Sequence, residues 1–398
     1  MTRRVLIFFA ILGLACAVAG SARHEDSKGV LTFVVAGDVR QYVAEPYRNP
    51  QHFLGALQAL KRVGPGSFMV SPGDMDPPGA VRDLVSEVLG ADYPWYPVMG
   101  NHELEAADHL DWLRHYNAHG TTLPHVVRKG PPGSEETTYA FDWADCHFVA
   151  LNQYYNGQSD STANADMVPE LLAWLEQDLA ANTRKHVFVF GHVPLLTMFD
   201  MDNGRVRHQA GPLEAFPPQV FRLHQLLLKY RVAAYFCGHT HNASFANING
   251  LWQFDSGHAR GLEEDSAPSD LFAMCTRAVE EGTRKGVTAE QSMADYFAAH
   301  KKQVQKSIYY MKLGLNAATY DAVADDAALQ GLARFYEDYR QGGDAKAQHV
   351  RTFWENVAYA KSSFLKVYVS KNGVKVEIYR DDARGGPYAL RKTVVLGE

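Results

Sequence analysis
At 398 residues, with 46% hydrophobic and 21% charged residues, the chain is long enough to bury a large core in one or two domains, which excludes the fibrous and disordered classes. Its formal net charge of -6 provides no broad basic surface, so nothing in the composition points to nucleic acid or to an anionic membrane as a partner.

The N-terminus carries Arg3 and Arg4, an apolar run over 5–14, and small residues at Ala17-Val18-Ala19 and Gly20-Ser21-Ala22. Residues 1–22 are accordingly expected to be a signal peptide, and 23–398 to be exported to the periplasm or outside the cell. The apolar run is too short to span a bilayer, and no later stretch is long and apolar enough, so no membrane association is expected beyond the leader. Cys16 follows Leu14-Ala15 in a weak likeness of a lipoprotein site, but Gly13 stands where a larger aliphatic residue is usual. Export without lipidation is the expectation. Cys146, Cys237 and Cys275 then remain, an odd number that cannot all pair within the chain, and the first two lie in apolar runs where cysteine acts as a small buried hydrophobe.

From about 31 to 261, β-rich apolar runs alternate with helix-like segments, as in an α/β domain built of βα units. Five of those runs end alike. Residues 32–36 lead into Gly37-Asp38, and 68–70, after a Ser-Pro step, into Gly73-Asp74; 93–99 lead into Gly100-Asn101-His102, 186–190 into Gly191-His192, and 233–237 into Gly238-His239-Thr240-His241. Each is a strand, a glycine, then a side chain able to hold a metal. Glycine lets the chain turn sharply, and ligands of open α/β sheets gather outside the carboxyl ends of the strands, so five such turns point to one crevice. Helical patterns over 50–63, 81–89 and 169–181 separate them.

Between 267 and 361 the strand signals vanish and Ala, Glu, Lys, Gln and Tyr dominate with helical spacing. Residues 364–369 and 374–379 flank Asn372-Gly373 as a β-hairpin, and 393–396 offer a further strand. A hairpin demands a sheet, which the helical segment cannot supply. Residues 267–361 are thus expected to be a helical insertion, a cap beside the active-site mouth, and 362–398 to complete the sheets of a single domain.

The ordered set Gly37-Asp38-Val39-Arg40, Gly73-Asp74, Gly100-Asn101-His102-Glu103, Gly191-His192 and Gly238-His239-Thr240-His241 resembles the calcineurin-like metallophosphoesterases. The resemblance implies a β-sandwich of two mixed sheets flanked by helices. It also implies hydrolysis of a phosphate monoester or diester by a hydroxide held between two divalent ions. Two ions about 3.5–4 Å apart need a bridging anion, and Asp74 is the natural one. By the resemblance, Asp74, Asn101, His192 and His239 hold one ion, and Asp38, Asp74 and His241 the other. These oxygen and imidazole donors, with no thiolate, suit manganese, iron or zinc without choosing among them.

His102 follows a ligand directly and is expected to act as general acid or to stabilise charge in the transition state. The first motif departs from the family's common pattern: Arg40 stands where many members have a histidine ligand, and a guanidinium cannot donate a lone pair. Pro77 stands where some phosphatases of the family place a tyrosine. The Asp38-side ion is left with fewer ligands or must recruit Asp76 or another side chain. Arg40 is expected either to fork onto phosphate oxygens or to pair with an acidic neighbour. His115, His119, His125, His208 and His258 are expected to be non-ligands, though His208 and His258 lie near motif-bearing loops. The competing function is a non-catalytic or single-metal binding module that keeps the fold.

Overall fold
The computed structural model describes residues 29–39, 50–162, 165–198, 200–201, 213, 216–259, 263–264, 284–287, 359–360, 362–381 and 388–397. The leader, Arg40, His208, Cys275 and all but six residues of the 267–361 segment lie outside them.

Two mixed sheets face each other. The first contains β1 (Leu31–Val35), β2 (Met69–Pro72), β3 (Trp95–Val98) and the C-terminal strands β13 (Ser363–Ser370), β14 (Gly373–Arg380) and β15 (Ala389–Leu396), in the order β15-β14-β13-β1-β2-β3. The second contains β4 (Val126–Lys129), β5 (Tyr139–Trp143), β6 (Cys146–Ala150), β7 (His186–Phe190), β8 (Ala234–Cys237), β9 (Ala243–Ile248) and β10 (Leu251–Ser256), in the order β4-β5-β6-β7-β8-β10-β9. A short pair, β11 (Glu263–Glu264) with β12 (Tyr359–Ala360), stands apart from both.

Within the first sheet β1, β2 and β3 run parallel, and within the second β6, β7, β8 and β10 do. These strands are buried on both faces, as their near-continuous apolar runs require of parallel strands. The hairpin β13-β14 joins the first sheet through antiparallel pairing of β13 with β1, from Leu31 opposite Val369 to Val35 opposite Leu365.

Aromatic rings fill the space between the sheets. Phe33 of β1 stacks on Phe68 at 5.3 Å and meets Phe148, Phe188 and Phe236 of the opposite sheet edge-on at 5.2–6.2 Å. Each such contact adds about 0.5–1.5 kcal/mol beyond area burial, so the ring cluster locks one sheet against the other. Helices cover the outer faces: α1 (Pro50–Val63), α2 (Pro78–Leu89), α3 (Ala107–Tyr116), α4 (Pro169–Ala181) and α5 (Pro217–Lys229), with Phe53, Leu57 and Leu60 of α1 joining Val34 and Met69 in the second apolar cluster. Cys146 and Cys237 are both buried, and burial pushes the Cys237 thiol well up. Among the described residues no helix is long and apolar enough to cross a membrane.

Far from the crevice, His147 on β6 ties α4 to the sheet. Its Nδ1 lies 2.8 Å from Asp142 on β5 and its Nε2 2.8 Å from buried Asp178 on α4. Burial works to lower its pKa, but the hydrogen bonds and charges of Asp178 and Asp142 outweigh it, so the imidazole is held above its usual range. A group raised on folding contributes stability that is complete below its unfolded pKa, about 6.5, and is lost as pH rises through the folded value. His147→Ala should therefore cost on the order of 3 kcal/mol at pH 6, the scale of a broken buried pair, and distinctly less at pH 9. Urea denaturation of both proteins at the two pH values tests this; an equal gap at both would contradict it.

Candidate metal centre
The parallel strands deliver their turns to one edge of the sandwich. Asp38 follows β1, Asp74 follows β2, Asn101 and His102 follow β3, His192 follows β7, and His239 and His241 follow β8. Asp38, Asp74, His192, His239 and His241 are all buried there.

Their donor atoms fall into two groups, in each of which all lie within 4.8 Å of one another: Asp74, His192 and His239, and Asp38, Asp74 and His241. Asp74 is common to both. Asn101 belongs with the first group, since its Oδ1 is 3.1 Å from both His192 Nε2 and His239 Nδ1. In the second, His241 Nε2 is 3.2 Å from Asp38 Oδ1. The His239 and His241 side chains, two residues apart, thus serve different groups. Asp76 does not join the Asp38 group; two residues beyond Asp74, it lies with His102 and Glu105 instead.

The backbone is bent to make this possible. Asp38, Asp74, His239 and His241 all have positive φ, between 52° and 70°, a region few non-glycine residues occupy and one that costs about 1–3 kcal/mol each. Four such residues on three strand ends of one cleft mark where local stability has been traded for placement. Gly100 is required by proximity, because a β-carbon there would stand 2.4 Å from both the amide nitrogen and Oδ1 of Asp74.

Two residues outside the expected set hold these turns. Glu103 is fully buried and its carboxylate accepts the backbone N–H groups of Asp74 at 3.0 Å, Met75 at 2.5 Å and Gly100 at 2.7 Å. It splices the second turn to the third. Burial first, then the nearby Asp74 and Asp76 carboxylates, push its pKa well up. Glu105 holds His102 from outside, with its Oε1 2.5 Å from His102 Nδ1. The motif Gly100-Asn101-His102-Glu103 includes the first of these, but only the 29-residue span to Asp74 reveals what it does.

Asp74 is the electrostatic focus. Burial acts to raise its pKa, yet His192, His102 and His239, with the His102 N–H at 3.1 Å from Oδ1, hold the carboxyl well below the usual range. His192 is fixed by its Nδ1, 2.8 Å from the Pro72 carbonyl, which leaves Nε2 facing Asp74 Oδ1 at 3.3 Å. His192 Nε2 and His239 Nδ1 lie 3.1 Å apart. Nitrogen lone pairs and carboxylate oxygens this close suit a shared cation. Near the Asp38 side, both polar atoms of the Asn242 side chain and the Ser256 hydroxyl are buried without a hydrogen bond among the described residues. Such groups cost about 1–3 kcal/mol each, which a hydrated ion would offset. The donors present fit divalent manganese, iron or zinc.

A family model described as calcineurin-like phosphoesterase matches residues 23–243, and the chain belongs to that family and is a phosphoric ester hydrolase. It is similar to tartrate-resistant acid phosphatase type 5 of Oryctolagus cuniculus, with 32% identity over 257 residues that cover 58% of this chain and 74% of that protein. The Homo sapiens protein of the same name is 29% identical over 252 residues, covering 57% and 72%. A solved structure of PhoD shares the fold at a TM-score of 0.50 and 10% identity, over 92% of this chain and 69% of that one.

Glu103→Ala should leave three buried N–H groups without an acceptor, and should lower both the melting temperature and the metal content of the purified protein. Glu103→Gln, with one acceptor oxygen left, should fall between. Elemental analysis beside calorimetry checks this, and full metal content in the alanine variant would refute the splice.

Proposed function
We propose that the chain hydrolyses a phosphate ester, a phosphomonoester foremost, at a binuclear centre whose two ions share Asp74. The observation that carries this is the pair of donor groups meeting on one carboxylate. Asp74, Asn101, His192 and His239 would hold one ion, and Asp38, Asp74 and His241 the other. Bound there, two divalent ions supply a positive centre for phosphoryl oxygens and lower the pKa of an attacking water. The similarity to acid phosphatases supports the monoester.

The residues themselves do the rest. His102 has a side chain 19% exposed, unlike the buried Asp38, Asp74, His192, His239 and His241, so it faces the mouth, where a leaving group would depart. Its Nε2 lies 3.5 Å from Asp74 Oδ2 and its Nδ1 lies against Glu105, contacts that fix the direction of the ring. Delivery of a proton from this imidazole to the leaving oxygen is general acid catalysis. Arg40, adjacent in sequence to Val39 of the first turn, lies outside the described residues; a guanidinium there would fork onto phosphate oxygens. Export rests on the leader-like segment 1–22, and the net charge of -6 offers no broad basic surface for nucleic acid.

Chelator-treated protein should lose turnover of an aryl phosphate and regain it with metal; undiminished turnover in metal-free protein would overturn the proposal in favour of a different chemistry. His102→Ala should keep both ions and lose about 10²-fold or more in kcat, while Asp74→Asn should lose the pair of ions. Release of metal by His102→Ala would take the proton-donor role away from it.

A further inference from the structure
The strand, glycine, donor pattern occurs a sixth time. β10 runs parallel to β8, so its carboxyl end lies on the same edge as the other turns, and it leads into Gly257, at φ 67°, and His258. We infer that His258 is a further imidazole of the metal centre, serving the Asp38-side ion, where Arg40 and Pro77 leave the ligand set short. This inference rests on the two-ion reading above.

The placement is specific. His258 is fully buried and its ring centre is 5.6 Å from that of His241. The next residue, Ala259, donates its N–H to the carbonyl of Gly37 at 3.1 Å, which fastens the His258 turn to the residue directly before Asp38. Asp255 couples the two histidine-bearing turns, accepting the Thr240 hydroxyl at 2.5 Å on one oxygen and the Gly257 N–H at 2.9 Å on the other. The Ser363 N–H donates to the His258 carbonyl at 2.7 Å, and the Ser363 hydroxyl donates to the Ser256 backbone carbonyl at 2.6 Å. The turn is held on three sides, and its one large side chain sits beside His241.

Unpartnered polar atoms collect at the same spot. Ala243 pairs with Ser256, which sets Asn242 beside Gly257; the Asn242 amide and the Ser256 hydroxyl are the buried groups without a hydrogen bond noted above. His258 is outside the group of donors already within 4.8 Å of one another, so it would support the ion from beside His241, after a turn of its ring or from behind the direct ligands. Either way its loss weakens one ion and spares the other. Residues that support a metal in this manner are worth about 10- to 100-fold in affinity.

The test is a titration of metal-free full-length protein with manganese, followed by the electron paramagnetic resonance of free manganese and by calorimetry. Wild type should take up two ions. His258→Ala and the size-conserving His258→Gln should keep one binding event unchanged and weaken the other 10- to 100-fold, with native circular dichroism. Uptake of two ions at wild-type affinity by both variants would overturn the inference alone. Loss of both events together, in either variant, would assign His258 to the scaffold and also overturn it. A wild type that takes up a single ion would instead fell the two-ion reading, and the inference with it.

Discussion
A carboxylate that faces donors from both sheets of a sandwich must be held still in three directions, and the Asp74 turn is where this protein does so. Its N–H is bound by Glu103, its Oδ1 accepts the His102 N–H, and its Oδ1 and Oδ2 face His192 and His102 rings. Glu103 makes the arrangement cooperative, because one buried carboxylate takes the amides of Asp74, Met75 and Gly100 and so fixes the second turn against the third. The strained φ values of Asp38, Asp74, His239 and His241 are tolerated for the same reason: the surrounding hydrogen bonds over-determine them. His239, for example, donates its N–H to Asp38 Oδ2 at 2.9 Å, joining the last turn to the first.

The C-terminal strands belong to this machinery through the backbone. β13 lies against β1, and its first residue, Ser363, clasps the turn after β10. At the far end of β14, buried Arg380 forks onto Asp200 at 2.8 and 2.9 Å, and Asp200 accepts the N–H of Ala243, two residues past His241. Burying such a pair brings little net stability, so its effect is on position: it sets the loop after His192 and the strand after His241 in one register. Residues more than a hundred positions from the last motif thereby shape the cleft.

Much of the site could be read along the chain because its information is local. A strand, a glycine and a donor are adjacent in sequence, and the helices over 50–63 and 169–181 coincide with α1 and α4 because their apolar periodicity is unbroken. What escaped is long-range. Glu103 reads as the last letter of a motif until its contacts 28 and 29 residues away are seen, and Glu105 has no pattern at all. His258 reads as a loop histidine because the sheet order β8-β10-β9 is not the chain order, and only the crossing of β10 to a place beside β8 brings its end to the cleft. Asp76, close to Asp74 in sequence, was the more obvious recruit for the Asp38 side, but it stands with His102.

The account turns on two ions meeting on one carboxylate, and anomalous diffraction from crystals of the metal-loaded protein tests that most directly. It predicts two peaks about 3.5–4 Å apart, one on each side of Asp74, with His192 and His239 against the first and Asp38 and His241 against the second. A single peak, or a pair that does not share Asp74, would contradict it.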